Sequence, residues 1–162
     1  VIYSFFIENN IKNFKTNLIN ECLAQRNLEQ DCNNFKLNTM YLHNLYKLFI
    51  TNAKKVLNKF TLKDKDFKIW CYITDKSYSD THWHNHKKSA TINCVIYLKT
   101  NNKGIDFIVN NKKKYLKPKD GDMLIFPASL DHCPQPSTDK KRISLNLEIR
   151  CNENEQEIFN VS

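Results

Sequence analysis

Two hydrophobic periodicities divide the chain. Up to about residue 60, apolar residues recur at three and four: Ile11, Phe14, Leu18 and Cys22, then Leu42, Leu45, Leu48, Phe49, Ala53, Val56 and Leu57. That spacing stacks apolar side chains along one side of a helix. It predicts a mainly helical first part, with a long helix from about Asn38 to Lys59 and Asn38 or Thr39 as its N-cap. After Phe60 the pattern shortens to runs of β-branched and aromatic residues at strand length, predicting strands over 67–74, 91–98 and 104–109. Asn110-Asn111 reads as a hairpin turn with Lys113–Leu116 returning, and Pro118 to Asp122 turns the chain into Met123–Phe126. The run 142–149 alternates strictly: Ile143, Leu145, Leu147 and Ile149 face one way, and Arg142, Ser144, Asn146 and Glu148 the other.

These elements predict a single α+β domain over 1–162. Residues 1–66 form a mainly helical buttress, 67–150 a β-sandwich or barrel core, and 151–162 an acidic, peripheral C-terminal tail. A chain of 162 residues can bury a substantial core in one domain. Its 10 Phe and 7 Tyr exclude a disordered polyelectrolyte, and its 2 Gly exclude collagen-like repeats. No apolar run approaches the roughly 18 residues of a membrane-spanning helix, so no membrane partner is expected.

The formal charge of +8 attracts nucleic acid or an acidic partner in principle, through Lys87-Lys88, Lys112 to Lys114 and Lys140-Lys141. The cations are 22 Lys against 3 Arg, however, beside 22 Asn, so drift toward A/T-rich codons accounts for the same excess. The scarcity of Arg gives weight to the places where its planar fork is kept. Six cysteines (22, 32, 71, 94, 133 and 151) lack CxxC spacing and do not make a dense disulfide framework. They are read as free thiols, which makes the cytoplasm the expected compartment.

The chemistry concentrates in the histidines. His43 lies in the long helix and reads as a surface or packing residue, whereas His82, His84 and His86 alternate in Thr-His-Trp-His-Asn-His. In an extended segment these three share a face, and two imidazoles at i and i+2 can hold one metal. His132 follows a predicted strand and is expected on a loop at a sheet edge, where it can supply a further ligand. Imidazole suits Fe, Zn, Cu or Ni, so the metal is left open by the ligands alone. Ten residues after His132 stands Arg142, with Ser144 on the same strand face. A buried Arg calls for an anion, and Arg beside a hydroxyl makes a carboxylate clamp. The competing reading is an edge-strand Arg facing solvent.

Taken together, Ile-Trp-Cys-Tyr (69–72), Trp-His-Asn-His (83–86), Asn-Cys-Val-Ile-Tyr-Leu (93–98), Gly-Ile-Asp-Phe (104–107), Gly-Asp-Met-Leu-Ile-Phe-Pro (121–127), Asp-His (131–132) and Arg-Ile-Ser-Leu-Asn (142–146) resemble an Fe(II)/2-oxoglutarate oxygenase. The prolyl-hydroxylase-like branch and the small uncharacterised oxygenases of phage and marine bacteria are the nearest likenesses. The match spans about 67 to 149. It implies a double-stranded β-helix, or jelly roll, as the catalytic core over 67–150, and a hydroxylase using Fe(II), O2 and 2-oxoglutarate, with succinate and CO2 as co-products. It also implies His84 and His132 as iron ligands. Arg142 would take the far carboxylate of 2-oxoglutarate, with Ser144 and Tyr97 adding hydroxyl contacts and Tyr72 lining the same pocket. Asn93 and Asn146 would face inward near iron or substrate, and Trp83 and Asp131 would shape substrate entry. The family's second ligand is a carboxylate; here His86 stands in its place. Either His86 completes a three-histidine site, or it swings out, or Asp80 or Asp131 supplies an oxygen. His82 is second in line or on the surface. The acceptor is left open among a prolyl residue, a nucleobase and a small metabolite. Two further readings compete: a cupin-like three-histidine metal dioxygenase that needs no 2-oxoglutarate, and a basic nucleic-acid-binding β-sandwich.

Overall fold

Alternation along the strands builds two sheets that face one another, with helices packed on the back of the larger one. The structure is a computed structural model and describes residues 1–29, 33–75, 82–137 and 139–159. The elements run β1 (Tyr3–Phe6), α1 (Glu8–Ile11), α2 (Lys15–Leu28), β2 (Asn34–Leu37), α3 (Leu42–Val56), β3 (Ile69–Thr74), β4 (Ile92–Lys99), β5 (Ile105–Val109), β6 (Lys112–Leu116), β7 (Asp122–Pro127), β8 (His132–Pro134), β9 (Arg142–Ile149) and α4 (Glu155–Phe159). The large sheet has the order β1-β7-β4-β9-β3-β2 and the small one β6-β5-β8. Every strand pair in both sheets is antiparallel. Helices against an antiparallel sandwich of this kind are the expected α+β jelly roll.

The outward face of the large sheet carries Cys71, Ile73, Cys94, Ile96, Ile125, Leu145 and Leu147. These residues share one apolar cluster with Leu18 and Cys22 of α2 and Leu45, Phe49 and Ala53 of α3. A smaller cluster of Tyr97, Ile105, Phe107, Leu124 and Phe126 fills part of the space between the sheets. Left-handed backbone occurs at Asn102, Asn110, Asn111 and Gly121. Asn110 and Asn111, at φ 50 and 62, form the predicted β5–β6 hairpin. Gly121, at φ 87, leads into β7, donates its N–H to the Tyr97 carbonyl at 2.8 Å and accepts from Ile7 N–H at 2.8 Å.

Four features differ from the sequence reading. The helical buttress contains two strands, β1 and β2, each only four residues long. Both sit at edges of the large sheet, so pairing to β7 and β3 stabilises what local pattern alone does not specify. The long helix starts at Leu42, later than predicted, with Tyr41 at its N-cap position. Thr39 Oγ1 instead accepts from Tyr41 N–H at 3.1 Å and donates to Glu21 Oε1 at 2.7 Å, while Asn38 N–H donates to Gln25 Oε1 at 2.8 Å. His132 opens a short strand rather than lying on a loop. The acidic tail is not peripheral: Ile158 and Phe159 of α4 are buried in the main core, and Ser129 donates to Glu155 through N–H at 2.8 Å and Oγ at 2.5 Å. Residues 160–162 of that tail, like Cys32 and Asp80, lie outside the described residues. Among the described residues, Cys22, Cys71, Cys94 and Cys151 are free thiols.

Candidate metal centre

The histidine segment between β3 and β4 is tied to the small sheet by backbone. His84 and His132 exchange N–H···O=C bonds, both at 3.0 Å, as an antiparallel bridge that continues the sheet past β8. His86 N–H donates to the Ala128 carbonyl at 2.7 Å. The i, i+2 spacing then brings both imidazoles of the segment to the side where His132 projects. Ring centroids are 4.3 Å apart for His84–His132, 5.2 Å for His86–His132 and 5.3 Å for His84–His86. One nitrogen from each lies within 4.8 Å of the others, a spacing that suits one shared metal ion.

Each ring is already held through Nδ1. His84 Nδ1 is 3.0 Å from the His82 carbonyl, His132 Nδ1 is 2.9 Å from the Leu130 carbonyl, and His86 Nδ1 is 2.8 Å from Glu148 Oε1. A carbonyl can only accept, so for His84 and His132 the proton sits on Nδ1. The carboxylate imposes the same tautomer on His86. In its neutral form each ring therefore carries its lone pair on Nε2. His132 is buried against Phe126 and Phe107, at ring-centroid distances of 5.1 and 5.8 Å. Burial, reinforced by His84 and His86, pushes its pKa down to about 3. Burial also lowers that of His84. These two imidazoles are neutral near pH 7, the form that ligates metal.

A cavity of about 380 Å³ opens beside the histidines. Its wall includes Trp70 and Tyr72 of β3, Val95 and Tyr97 of β4, and Arg142, Ser144, Asn146 and Glu148 of β9. Register explains the grouping: Tyr72 and Tyr97 both lie opposite Ser144, and Asn93 lies opposite Glu148. Arg142 is only 4% exposed, and among the described residues its Nε has no hydrogen-bond partner. Among the described residues no carboxylate pairs with it. Burial pulls its pKa down, opposed by Tyr97 and Tyr72. Tyr97 is buried too, and desolvation raises its hydroxyl to about 12, so it remains a donor. Beside Arg142, Thr74 of β3 meets a buried hydroxyl network in which Thr74 Oγ1 and Ser137 Oγ are 2.9 Å apart and Asn101 Nδ2 donates to Ser137 Oγ at 2.6 Å.

Of the residues singled out in the sequence, His84, His86, His132, Arg142, Ser144, Tyr97, Tyr72 and Asn146 line this one cavity. Asn93, Trp83 and Asp131 do not. Trp83 is 44% exposed. Asp131 is also exposed and accepts from Asn85 Nδ2 at 2.8 Å, bracing the histidine segment instead of joining the cluster. Asn93 is fully buried, and among the described residues neither amide atom has a hydrogen-bond partner. His82 is an exposed ring at the cavity rim whose carbonyl orients His84. Sequence reasoning put Glu148 on the inward face without giving it a task; its pairing with His86 depends on a contact between strand and loop that no local pattern encodes. Ser89, which donates to Glu148 Oε2 at 2.9 Å, left no signal at all.

No family model matches the sequence, and no curated protein matches it. Solved structures do. A prolyl-4-hydroxylase from Pseudomonas putida superposes with a TM-score of 0.67 at 14% identity, over 94% of this chain and 93% of its own. A prolyl hydroxylase from Trichoplax adhaerens, solved with a hypoxia inducible factor peptide, gives 0.60 at 12%, over 96% and 84%. The α-ketoglutarate-dependent carbocyclase SnoK of nogalamycin biosynthesis gives 0.61 at 7%, over 88% and 78%. The fold is thus that of 2-oxoglutarate-dependent oxygenases of the prolyl-hydroxylase type. At these identities the likeness establishes the fold alone. No helix among the described residues is long and apolar enough to cross a membrane.

Proposed function

We propose that this protein is an Fe(II)- and 2-oxoglutarate-dependent dioxygenase, a hydroxylase in which His84, His86 and His132 hold the iron. Arg142, with Ser144 and Tyr97, binds the far carboxylate of 2-oxoglutarate, and Tyr72 lines the same pocket. One observation carries the reading: a single cavity joins three clustered imidazoles to a buried guanidinium that has no carboxylate partner among the described residues. The donor set suits the group. Three histidine ligands bring no negative charge to Fe(II), and a dianionic ligand reaching Arg142 supplies it. The fold and its solved relatives support the same class.

When bound, iron and 2-oxoglutarate supply the oxidising power for hydroxylation, the acid being converted to succinate and CO2 as O2 is consumed. The protein's own residues do the remaining work. His84 and His132 stay unprotonated because burial disfavours the imidazolium. Arg142 and the donors Ser144 and Tyr97 orient one carboxylate end, which sets the direction of the other end toward the histidines. Phe107 and Phe126 keep water away from the back of His132. Asn146 and the exposed Trp70 border the space left for the acceptor. Asn93, Trp83 and Asp131 remain substrate-side candidates at one remove, through positioning or entry. The acceptor itself is a small molecule or a protein or peptide side chain. The cytoplasm is the proposed compartment.

Anaerobic Fe(II) titration, with and without 2-oxoglutarate, tests the reading by visible absorbance. The expected result is a weak mid-visible charge-transfer band that needs both components, vanishes in His84→Ala and weakens in Arg142→Ala. Iron uptake with no band on adding 2-oxoglutarate would overturn the cosubstrate assignment and favour a three-histidine dioxygenase that works without it. No iron uptake would overturn the metal site.

A further inference from the structure

Of the three imidazoles, two rest on backbone carbonyls and one on a full negative charge. Glu148 is the last inward-facing residue of β9, about one-fifth exposed, and its Oε1 accepts from His86 Nδ1 at 2.8 Å. The same oxygen accepts from Asn146 Nδ2 at 3.2 Å, and Oε2 accepts from Ser89 Oγ at 2.9 Å. The main chain is pinned at this point as well. Glu148 N–H donates to the buried Tyr46 hydroxyl at 3.3 Å, and that hydroxyl donates to the Lys68 carbonyl at 2.6 Å. The carboxylate is thus held on three sides by donors, with one oxygen directed at the ring.

An ordinary structural ion pair would place Lys or Arg here. Among the described residues neither pairs with Glu148; its one ionisable partner is His86. A neutral imidazole is a weak partner for a half-buried carboxylate. An imidazole whose Nε2 carries a metal is a strong one, because the metal draws charge from the ring and makes Nδ1–H a better donor. The arrangement is therefore more favourable with a metal on Nε2 than with a neutral, unliganded ring. It also bears on the missing ligand: with His86 in place of a carboxylate, the donor set lacks one negative charge, and Glu148 holds one on the far side of that same ring.

Resting on the ligand assignment above, we propose that Glu148 is a positioning residue of the metal centre. It locks His86 with its Nε2 lone pair toward the cavity and supplies, through the imidazole, the negative charge that the ligand set itself lacks. Asn146 and Ser89 serve the centre indirectly by orienting that carboxylate.

Two substitutions separate the two roles. In Glu148→Gln the amide oxygen still accepts from His86 and Asn146, and the amide nitrogen can donate to Ser89 Oγ. Shape and tautomer are kept and only charge is lost. Glu148→Ala removes both. The full chain is titrated with Co(II) alone, by competition against a chromophoric chelator, and its visible d–d bands are recorded. Affinity is expected to fall about 10-fold in Glu148→Gln and about 100-fold in Glu148→Ala. The bands are expected to shift in Glu148→Ala and to stay near the wild-type position in Glu148→Gln. Ser89→Ala, which leaves the His86 contact in place, is expected to fall by less than about threefold. Wild-type affinity in both Glu148 variants would overturn the inference, and so would a lowered melting temperature of the metal-free protein with unchanged affinity. If Glu148→Ala does not fold, the isosteric Glu148→Gln decides. Failure of the wild type to take up Co(II) counts against the ligand assignment itself, and this inference falls with it; wild-type binding with unaffected variants removes this inference alone.

Discussion

The two faces of β9 carry the same number of side chains to two quite different ends. Outward, Ile143, Leu145, Leu147 and Ile149 are buried among the helices and leave nothing unsatisfied. Inward, Arg142, Ser144, Asn146 and Glu148 are wholly or largely withdrawn from water, yet among the described residues Arg142 Nε has no partner, and neither do the amide atoms of Asn93 on the neighbouring strand. Burial of apolar groups stabilises a fold, whereas burial of unpaired polar groups opposes it. The outer face is therefore where stability resides. The inner face is where stability has been given up, and its groups are the ones proposed to take a ligand. Substitutions on the two faces should separate in their consequences.

The largest effect is expected on the outer face. Leu147→Ala removes a fully buried side chain from the centre of the large sheet and should destabilise by about 2–5 kcal/mol, read by urea unfolding. Metal affinity measured well below the transition should be unchanged. On the inner face, His84→Ala should weaken metal binding by at least about 100-fold, roughly 3 kcal/mol, while urea stability of the metal-free protein stays within about 1 kcal/mol. A loss of stability there as large as that of Leu147→Ala would erase the distinction between the faces. Arg142→Met sharpens it further. It replaces a buried cation that has no carboxylate partner among the described residues by an apolar chain of similar length, so stability should hold or rise by about 1 kcal/mol. The 2-oxoglutarate-dependent absorbance should meanwhile need at least about tenfold more 2-oxoglutarate to saturate.

The same contrast decides how much could be read from the sequence. Strands β3, β4, β5, β6, β7 and β9 were legible because alternation and β-branched runs are local signals, and so was the turn at Asn110-Asn111. Strands β1 and β2 were not, since four residues at a sheet edge owe their form to the partner strand. The helix start was misplaced because Thr39 and Asn38 spend their hydrogen bonds on Tyr41, Glu21 and Gln25. At the site, period-two spacing brought His84 with His86, and Arg142 with Ser144, without any knowledge of the fold. The meeting of His86 with Glu148 could not be inferred that way. It joins a loop to a strand end 62 positions later, through a hydrogen bond that depends on β4 lying beside β9.

The last effect is one of pH, and it separates the faces by slope rather than by size. In the metal-free protein burial holds His132 at a pKa of about 3, against an ordinary value of 6.5. Between those two values the unfolded chain binds a proton that the folded chain refuses, so stability rises with pH across that window. His132 imposes no penalty above pH 6.5, and stability is lost as pH falls toward 3. Burial of His84 acts in the same direction. Glu148, whose carboxyl burial would raise but whose bonds to His86 and Ser89 lower it overall, acts only at more acid pH, through the carboxylate range. At pH 5 the unfolded-state pKa lies about 1.5 units above the medium, which sets the cost from His132 at about 2 kcal/mol. Urea unfolding of the metal-free protein at pH 7 and pH 5 should show at least that loss in the wild type. His132→Gln, which cannot take up the proton, should recover about 2 kcal/mol of it. Leu147→Ala should lower stability equally at both pH values, because an apolar cavity has no proton to exchange. Equal wild-type stability at pH 7 and pH 5 would show that the folded chain accepts a proton at His132, and the inner face would then be no less hydrated than the surface.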